Sequence, residues 1–327
     1  MEYRKLIEFG KNSYIISLPK NWIVKNKLKK GDLIYIDEKT DEIWLHAKHK
    51  QDENKNKEVF INVDGKNMPQ IEREITTAYI NNHNSFIISG KELENNAKEI
   101  RSIIQNLMAL EIMDQTATKM VAKDFMDMET VSIIELIRKM DMITREMMSD
   151  SKKTLIENKY ENIYLRDEDV NRLSYLVLRV ALHALDNPQF AKKSGHKPAY
   201  LVSLLRIAYD IESIADETKR VSKYLREFKP ADKSLKDVID LFEMAENLYL
   251  SSIKSFFSKD AETAIKLSGI KKEIISRATE VEYKHSKNVN AIIAIEKIKN
   301  MAHISNEISR AVANLSFEKP EGDMNLR

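Results

Sequence analysis

Apolar and polar positions alternate at the start of this chain, and a helical period takes over later. Lys5-Leu6-Ile7-Glu8-Phe9 and Tyr14-Ile15-Ile16 read as short strands about Gly10-Lys11-Asn12. Ser17 and Pro19 suit the N-cap and first position of a short helix through Trp22 and Val24. Gly31-Asp32 opens a strand over Leu33–Ile36, and Ile43–Leu45 returns after Lys39-Thr40-Asp41. These strands are too few for an independent monomeric core, and dimerisation would cover their edges. A polar connector, KHKQDENKNK, follows at 48–57. Beyond it the pattern predicts a strand at Val59–Val63, a helix at Pro69–Asn82, a strand at Ser85–Ser89 and a helix over Glu92–Asn106. The stretch Leu107–Met126 suits a hairpin broken at Asp114–Thr118.

From about residue 130 the 3.6-residue period dominates. Ile133, Ile137, Met140, Thr144 and Met147 line a first helix. Leu173, Leu176, Val180 and Ala184 line a second, with Asp167 as its cap and Asn187-Pro188 as its stop. Pro198 opens a third, with Leu201, Leu205, Ala208, Ile211, Ala215 and Val221 on one face, ending near Pro230. The cycle then repeats. A fourth helix carries Val238, Leu241, Phe242, Ala245, Leu248 and Phe256. A fifth, after Ser258-Lys259-Asp260, carries Ile265, Ile274, Ala278 and Val281. A sixth carries Ile292, Ile295, Ala302, Ile308 and Val312. Laid on the third helix without gaps, the sixth matches Arg206-Ile207 with Lys297-Ile298, Lys219 with Arg310 and Val221 with Val312. The expected fold is α+β and mostly α. Its segments are a β-rich unit at 1–50, an α/β connector at 51–128, three-helix bundles at 129–229 and 230–316, and a tail at 317–327.

Composition narrows the function. The chain has 7 Gly and 6 Pro in 327 residues, which favours long regular elements. It has no Cys, which excludes disulfides and thiolate metal sites and fits a cytoplasmic location. MEYRKLIEFG lacks the apolar core of a signal peptide, and no run has the roughly 20 apolar residues of a bilayer span. The 14 Met fall mostly between 108 and 148, where core filling outweighs partner binding as their role. Net charge is only +2, yet residues 1–30 carry Arg4, Lys5, Lys11, Lys20, Lys25, Lys27, Lys29 and Lys30 against Glu2 and Glu8. Such a local basic face can bind phosphates on a near-neutral protein. No Gly-rich phosphate loop or nucleophile elbow points to an enzyme.

SYIISLPKNW and LKKGDLIYI, in their order of elements, resemble the swapped-hairpin domain of AbrB/SpoVT-type regulators and MazE-type antidotes. That resemblance implies two interleaved chains, a homodimer, and DNA as a partner. Arg4, Lys11, Asn12, Lys20, Asn21 and Lys25 are the candidate DNA-binding residues. Lys and Arg would contact phosphates, and Asn would reach base edges.

LLRIAYDIESIADETKRVSKYL, residues 204–225, resembles the third helix of the PhoU family of phosphate-signalling regulators. Members of that family carry two three-helix bundles in tandem and an acid-x-x-x-Asp motif, here Glu212-Ser-Ile-Ala-Asp216. Side chains four apart share a helix face, so the two carboxylates lie side by side. They would supply part of the shell of a divalent or iron-type metal ion, with Asp141 and Glu146 as further ligands. The alternative is a boundary ion pair, since Arg220 lies four residues after Asp216. In the second repeat His303 and Glu307 stand at the matching positions and depart from the motif, but a His and a Glu four apart can still bind a transition metal, so they are the candidate ligands there. Together the two resemblances imply a phosphate-uptake regulator that binds DNA. They also imply contact with a phosphate transporter ATPase or sensor kinase. The competing reading is an adaptor that restrains such a partner without DNA.

Overall fold

The computed structural model describes residues 3–11, 13–38, 42–47, 57–157, 160–187, 190–191, 197–228 and 233–315. The fold is α+β and mostly α, with small N-terminal sheets ahead of a helical region. The chain divides into two compact units, Met1–Glu58 and Val59–Arg327.

The first unit is a pair of hairpins joined by one short helix. β1 (Ile7–Phe9) pairs antiparallel with β2 (Ser13–Ile15), with Ile7 opposite Ile15. Gly10, at φ +73°, makes the turn between them. α1 (Lys20–Lys25) follows with Pro19 at its N-cap rather than its first helical position, and no side chain caps it. Lys29–Asp32 closes a turn in which Lys29 N donates to Asp32 Oδ2 at 2.7 Å. β3 (Tyr35–Glu38) then pairs antiparallel with β4 (Ile43–His46). β3 starts two residues later than the hydrophobic pattern suggests. The expected turn at Lys39-Thr40-Asp41 lies outside the described residues. None of the described residues of this unit is buried.

The second unit begins with a four-stranded sheet of order β5-β6-β8-β7. Its strands are β5 (Glu58–Asn62), β6 (Ser85–Ser89), β7 (Leu110–Gln115) and β8 (Lys119–Asp124). The broken hairpin is real: β7 and β8 pair antiparallel, with a register shift between Ile112 and Asp114. α2 (Met68–Ile80) follows β5, and α3 (Leu93–Gln105) follows β6. Asn67 and Gln70 close a reciprocal capping box at the start of α2. Alternate strand residues Ile61, Phe86, Ile88, Met120 and Ala122 pack on Ile71, Ile75, Tyr79, Ile100 and Ile104 of the two helices. Burying such a side chain contributes about 1.5–3 kcal/mol.

Among the described residues six long helices follow: α4 (Ile133–Glu157), α5 (Tyr160–Asp186), α6 (Pro198–Leu225), α7 (Lys233–Ser258), α8 (Ala261–Lys284) and α9 (Val289–Leu315). α4, α5 and α6 pack together, as do α7, α8 and α9, and α6 lies along α9. Arg206 approaches Glu307 at 3.6 Å and Lys297 approaches Glu217 at 3.9 Å. Arg206 and Lys297 stand at matching positions of the two repeats, and each approaches an acid of the other helix across that seam. Met140, Met147 and Met148 are fully buried, so these methionines fill core, while Met113 and Met142 are exposed. Ile265 is also exposed, because α8 is an outer helix with a narrow buried stripe.

α5 starts seven residues ahead of Asp167, which is therefore a buried residue inside the helix and not its cap. α5 also carries Arg179, 1% exposed, which ties the sheet layer to the bundle. Its Nη2 donates to Asp124 Oδ2 at 2.5 Å, and its Nε donates to Asn82 Oδ1 at 3.2 Å. The guanidinium stacks 4.3 Å from the centre of the Tyr79 ring. α2 ends at Ile80, two residues short of the expected Asn82, and Asn82 itself sits at φ +61°, a conformation its short polar side chain tolerates.

Candidate functional site

In the first unit the candidate DNA-binding residues fall on loops and one helix. Arg4 precedes β1, Lys11 sits in the β1–β2 turn, and Lys20, Asn21 and Lys25 lie on α1. All five are exposed. Asn21 and Lys25, four apart, share one face of α1. Asn12 lies outside the described residues. The same unit exposes a set of large apolar side chains. Pairing puts Ile7, Phe9 and Ile15 on one face of the first hairpin. It puts Ile36, Ile43 and Leu45 on one face of the second. Phe9 is 65% exposed, Ile36 67% and Ile43 66%.

In the second unit Glu212 and Asp216 share a face of α6, and the structure brings Asp167 of α5 to them. Lys219 Nζ lies 2.5 Å from Asp167 Oδ2 and 3.0 Å from Asp216 Oδ1. Arg220 donates to the other oxygen of Asp216 at 2.5 Å and to Glu217 at 2.9 Å. Asp167 Oδ1 is buried with no hydrogen-bond partner. Burial raises the Glu212 pKa, and the neighbouring charges of Asp216 and Asp167 raise it further. Burial also raises the Asp167 pKa, against the pull of Lys219.

The other expected ligands are elsewhere. Asp141 accepts from Arg145 Nε and from Tyr249 of α7, each at 2.9 Å. Glu146 pairs with Arg166 at 3.4 Å. His303 is exposed, and Glu307 accepts from Arg310 at 2.9 Å. The expectation that the helical region lacks Glu-x-x-His motifs is wrong at Glu282-Tyr283-Lys284-His285, but Lys299 holds Glu282 and Asp237 holds His285. Among the described residues no group of three or more His, Asp or Glu side chains is arranged to hold a metal ion. As arranged, the Glu212–Asp216 motif does not fit one, because Lys219 and Arg220 already occupy the carboxylate oxygens of Asp216. Sequence reasoning missed Asp167. The available signal was an acid in register with Ile163 and Val170, inside the apolar stripe of α5.

Two residues before Glu212 and on another face of α6, Asp210 is 3% exposed and held by Arg206 Nε at 3.0 Å. Burial lifts its pKa to about 6. The folded state therefore binds a proton that the unfolded state, with a pKa near 3.9, releases. Asp210's contribution to stability is greatest below about pH 4 and is lost as pH rises through 6. Relative to Asp210→Asn, the wild type should gain about 1–3 kcal/mol on going from pH 7 to pH 4. Thermal unfolding across that range reads the difference, and parallel profiles would refute the shift.

The class defined by these elements is a paired three-helix-bundle protein with a small β-rich head. Residues 137–225, from within α4 to the end of α6, match the family model described as the PhoU domain. Among solved structures, the crystal structure of PhoU from Pseudomonas aeruginosa is similar over 57% of this chain and 96% of its own, at 14% identity and a TM-score of 0.46. No curated protein matches the chain. Among the described residues no helix is long and apolar enough to cross a membrane.

Proposed function

We propose that the chain is a dimeric regulator of phosphate uptake that binds DNA through its first unit. In this reading the helical unit responds to phosphate status by contact with a phosphate transporter ATPase or a sensor kinase, and the chain is not an enzyme. One observation carries it. A PhoU-domain match over 137–225 is joined to a small unit that has no buried residue and displays Arg4, Lys11, Lys20 and Lys25 to solvent. Phosphate uptake follows from the family relation, and DNA from the exposed basic residues. The apolar hairpin faces favour a second chain as the dimer partner.

The test is fluorescence anisotropy of the full-length protein on DNA upstream of phosphate-transport genes and of its own gene. A chain lacking residues 1–50 and a scrambled duplex are the comparisons. If a dimer neutralises about six phosphates, log K falls with log salt at a slope near −5. Selective, salt-sensitive binding that is lost on truncation supports the reading. Binding equal to the scrambled duplex shifts the function to the adaptor.

A further inference from the structure

We propose that Lys219 is the built-in cation of the Glu212–Asp216 motif. Its ammonium stands between α5 and α6 and makes the first bundle independent of metal. The inference does not depend on whether the first unit binds DNA.

Three side chains from two helices enclose the ammonium. Asp167 of α5 contacts it at 2.5 Å and Asp216 of α6 at 3.0 Å, and the Tyr164 ring of α5 lies 5.8 Å away on a third side. Asp167 is only 3% exposed, and a carboxylate so buried needs a positive partner or a proton. Lysine supplies that charge without leaving the chain. Burial works against the ammonium, yet its hydrogen bonds to Asp167 and Asp216 outweigh burial and hold its pKa above the ordinary lysine value. A metal at the same place would have to displace Lys219 from two carboxylates and also compete with Arg220 on Asp216. A hard divalent ion needs several oxygen ligands, and a displaced ammonium left beside it would repel it. The placement also gives the ammonium a mechanical role. It is a charged tie from α6 to α5 across the motif, fixed within the chain and insensitive to chelators.

The test uses the full-length chain. Metal content after purification is read by mass spectrometry, and Mn²⁺ binding by calorimetry. Thermal unfolding is followed with Mn²⁺ and with EDTA, for the wild type, Lys219→Met, Lys219→Arg, Asp167→Asn and the Lys219→Met/Asp167→Asn double variant. The wild type is expected to carry no stoichiometric metal and to unfold at the same temperature under both conditions. Lys219→Met should lower Tm by about 5–10 °C, because it strands the buried Asp167 carboxylate. Lys219→Arg should recover most of that loss. The double variant should lose less than the sum of the two single ones, as two members of one pair do. A stoichiometric metal in the wild type that disappears in Glu212→Gln would overturn the proposal, even if a Lys219 variant failed to fold. An unchanged Tm in Lys219→Met would overturn it as well.

Discussion

Arg179→Met should destabilise the second unit by about 3–5 kcal/mol, the cost of breaking a buried ion pair by removing one partner. Arg179 and Asp124 are 2% and 6% exposed at the side chain, so water screens neither. The lost guanidinium takes three interactions with it: the carboxylate of Asp124, the amide oxygen of Asn82 and the face of Tyr79. Among the described residues Asp124 then keeps the Met126 N–H as a hydrogen-bond donor, at 3.1 Å. Replacing Asp124 with Asn in the same chain should therefore recover part of the loss, because the stranded charge is gone while the shape is kept. Urea unfolding of the three variants measures both effects. A loss below about 1 kcal/mol for Arg179→Met would mean that the sheet layer and the bundle are joined by their apolar contacts alone.

That same residue marks how far the sequence could be read. Long elements were legible because their apolar periods are strong. α6 starts at Pro198, where a proline at the first turn costs nothing, and α2 starts at a capping box. Arg179 and Asp167 were not legible as structural charges. Each sits beside an apolar stripe, yet its partner lies on another element: Asp124 fifty-five positions away, Lys219 fifty-two. Helical spacing predicts only local pairs such as Asp216–Arg220, which the structure does form. The acid-x-x-x-Asp motif was visible through the PhoU resemblance, and helical spacing set its two carboxylates side by side. The lysine that answers it stands on the same helix but also reaches Asp167 of α5, and no one-dimensional pattern places α5 against α6 in that register. The cap assigned to Asp167 failed because polar residues at a helix start and a polar residue within an apolar stripe look alike in a short window.

Placing a charge on both hairpins of the first unit, as in Ile7→Asp/Ile36→Asp, should abolish dimerisation. Alternation leaves Ile7, Phe9 and Ile15 on one strand face and Ile36, Ile43 and Leu45 on the other, and the chain has too little of its own first unit to cover them. Under the proposed function a second copy covers them. In a two-fold interface each substitution appears twice. Four lost apolar burials at about 2 kcal/mol each weaken the dimer by roughly 10⁶-fold, before the cost of burying a carboxylate is added. DNA binding then changes in kind as well as strength. A monomer offers half the basic residues, so the salt slope should fall from about −5 to about −2.5 along with the affinity. Sedimentation equilibrium reads the first effect and anisotropy at two salt concentrations the second. A variant that remains dimeric would remove these faces from the interface. A monomeric variant that keeps the full slope would show that the basic residues act without the second chain, and the coupling of dimer to DNA would fall.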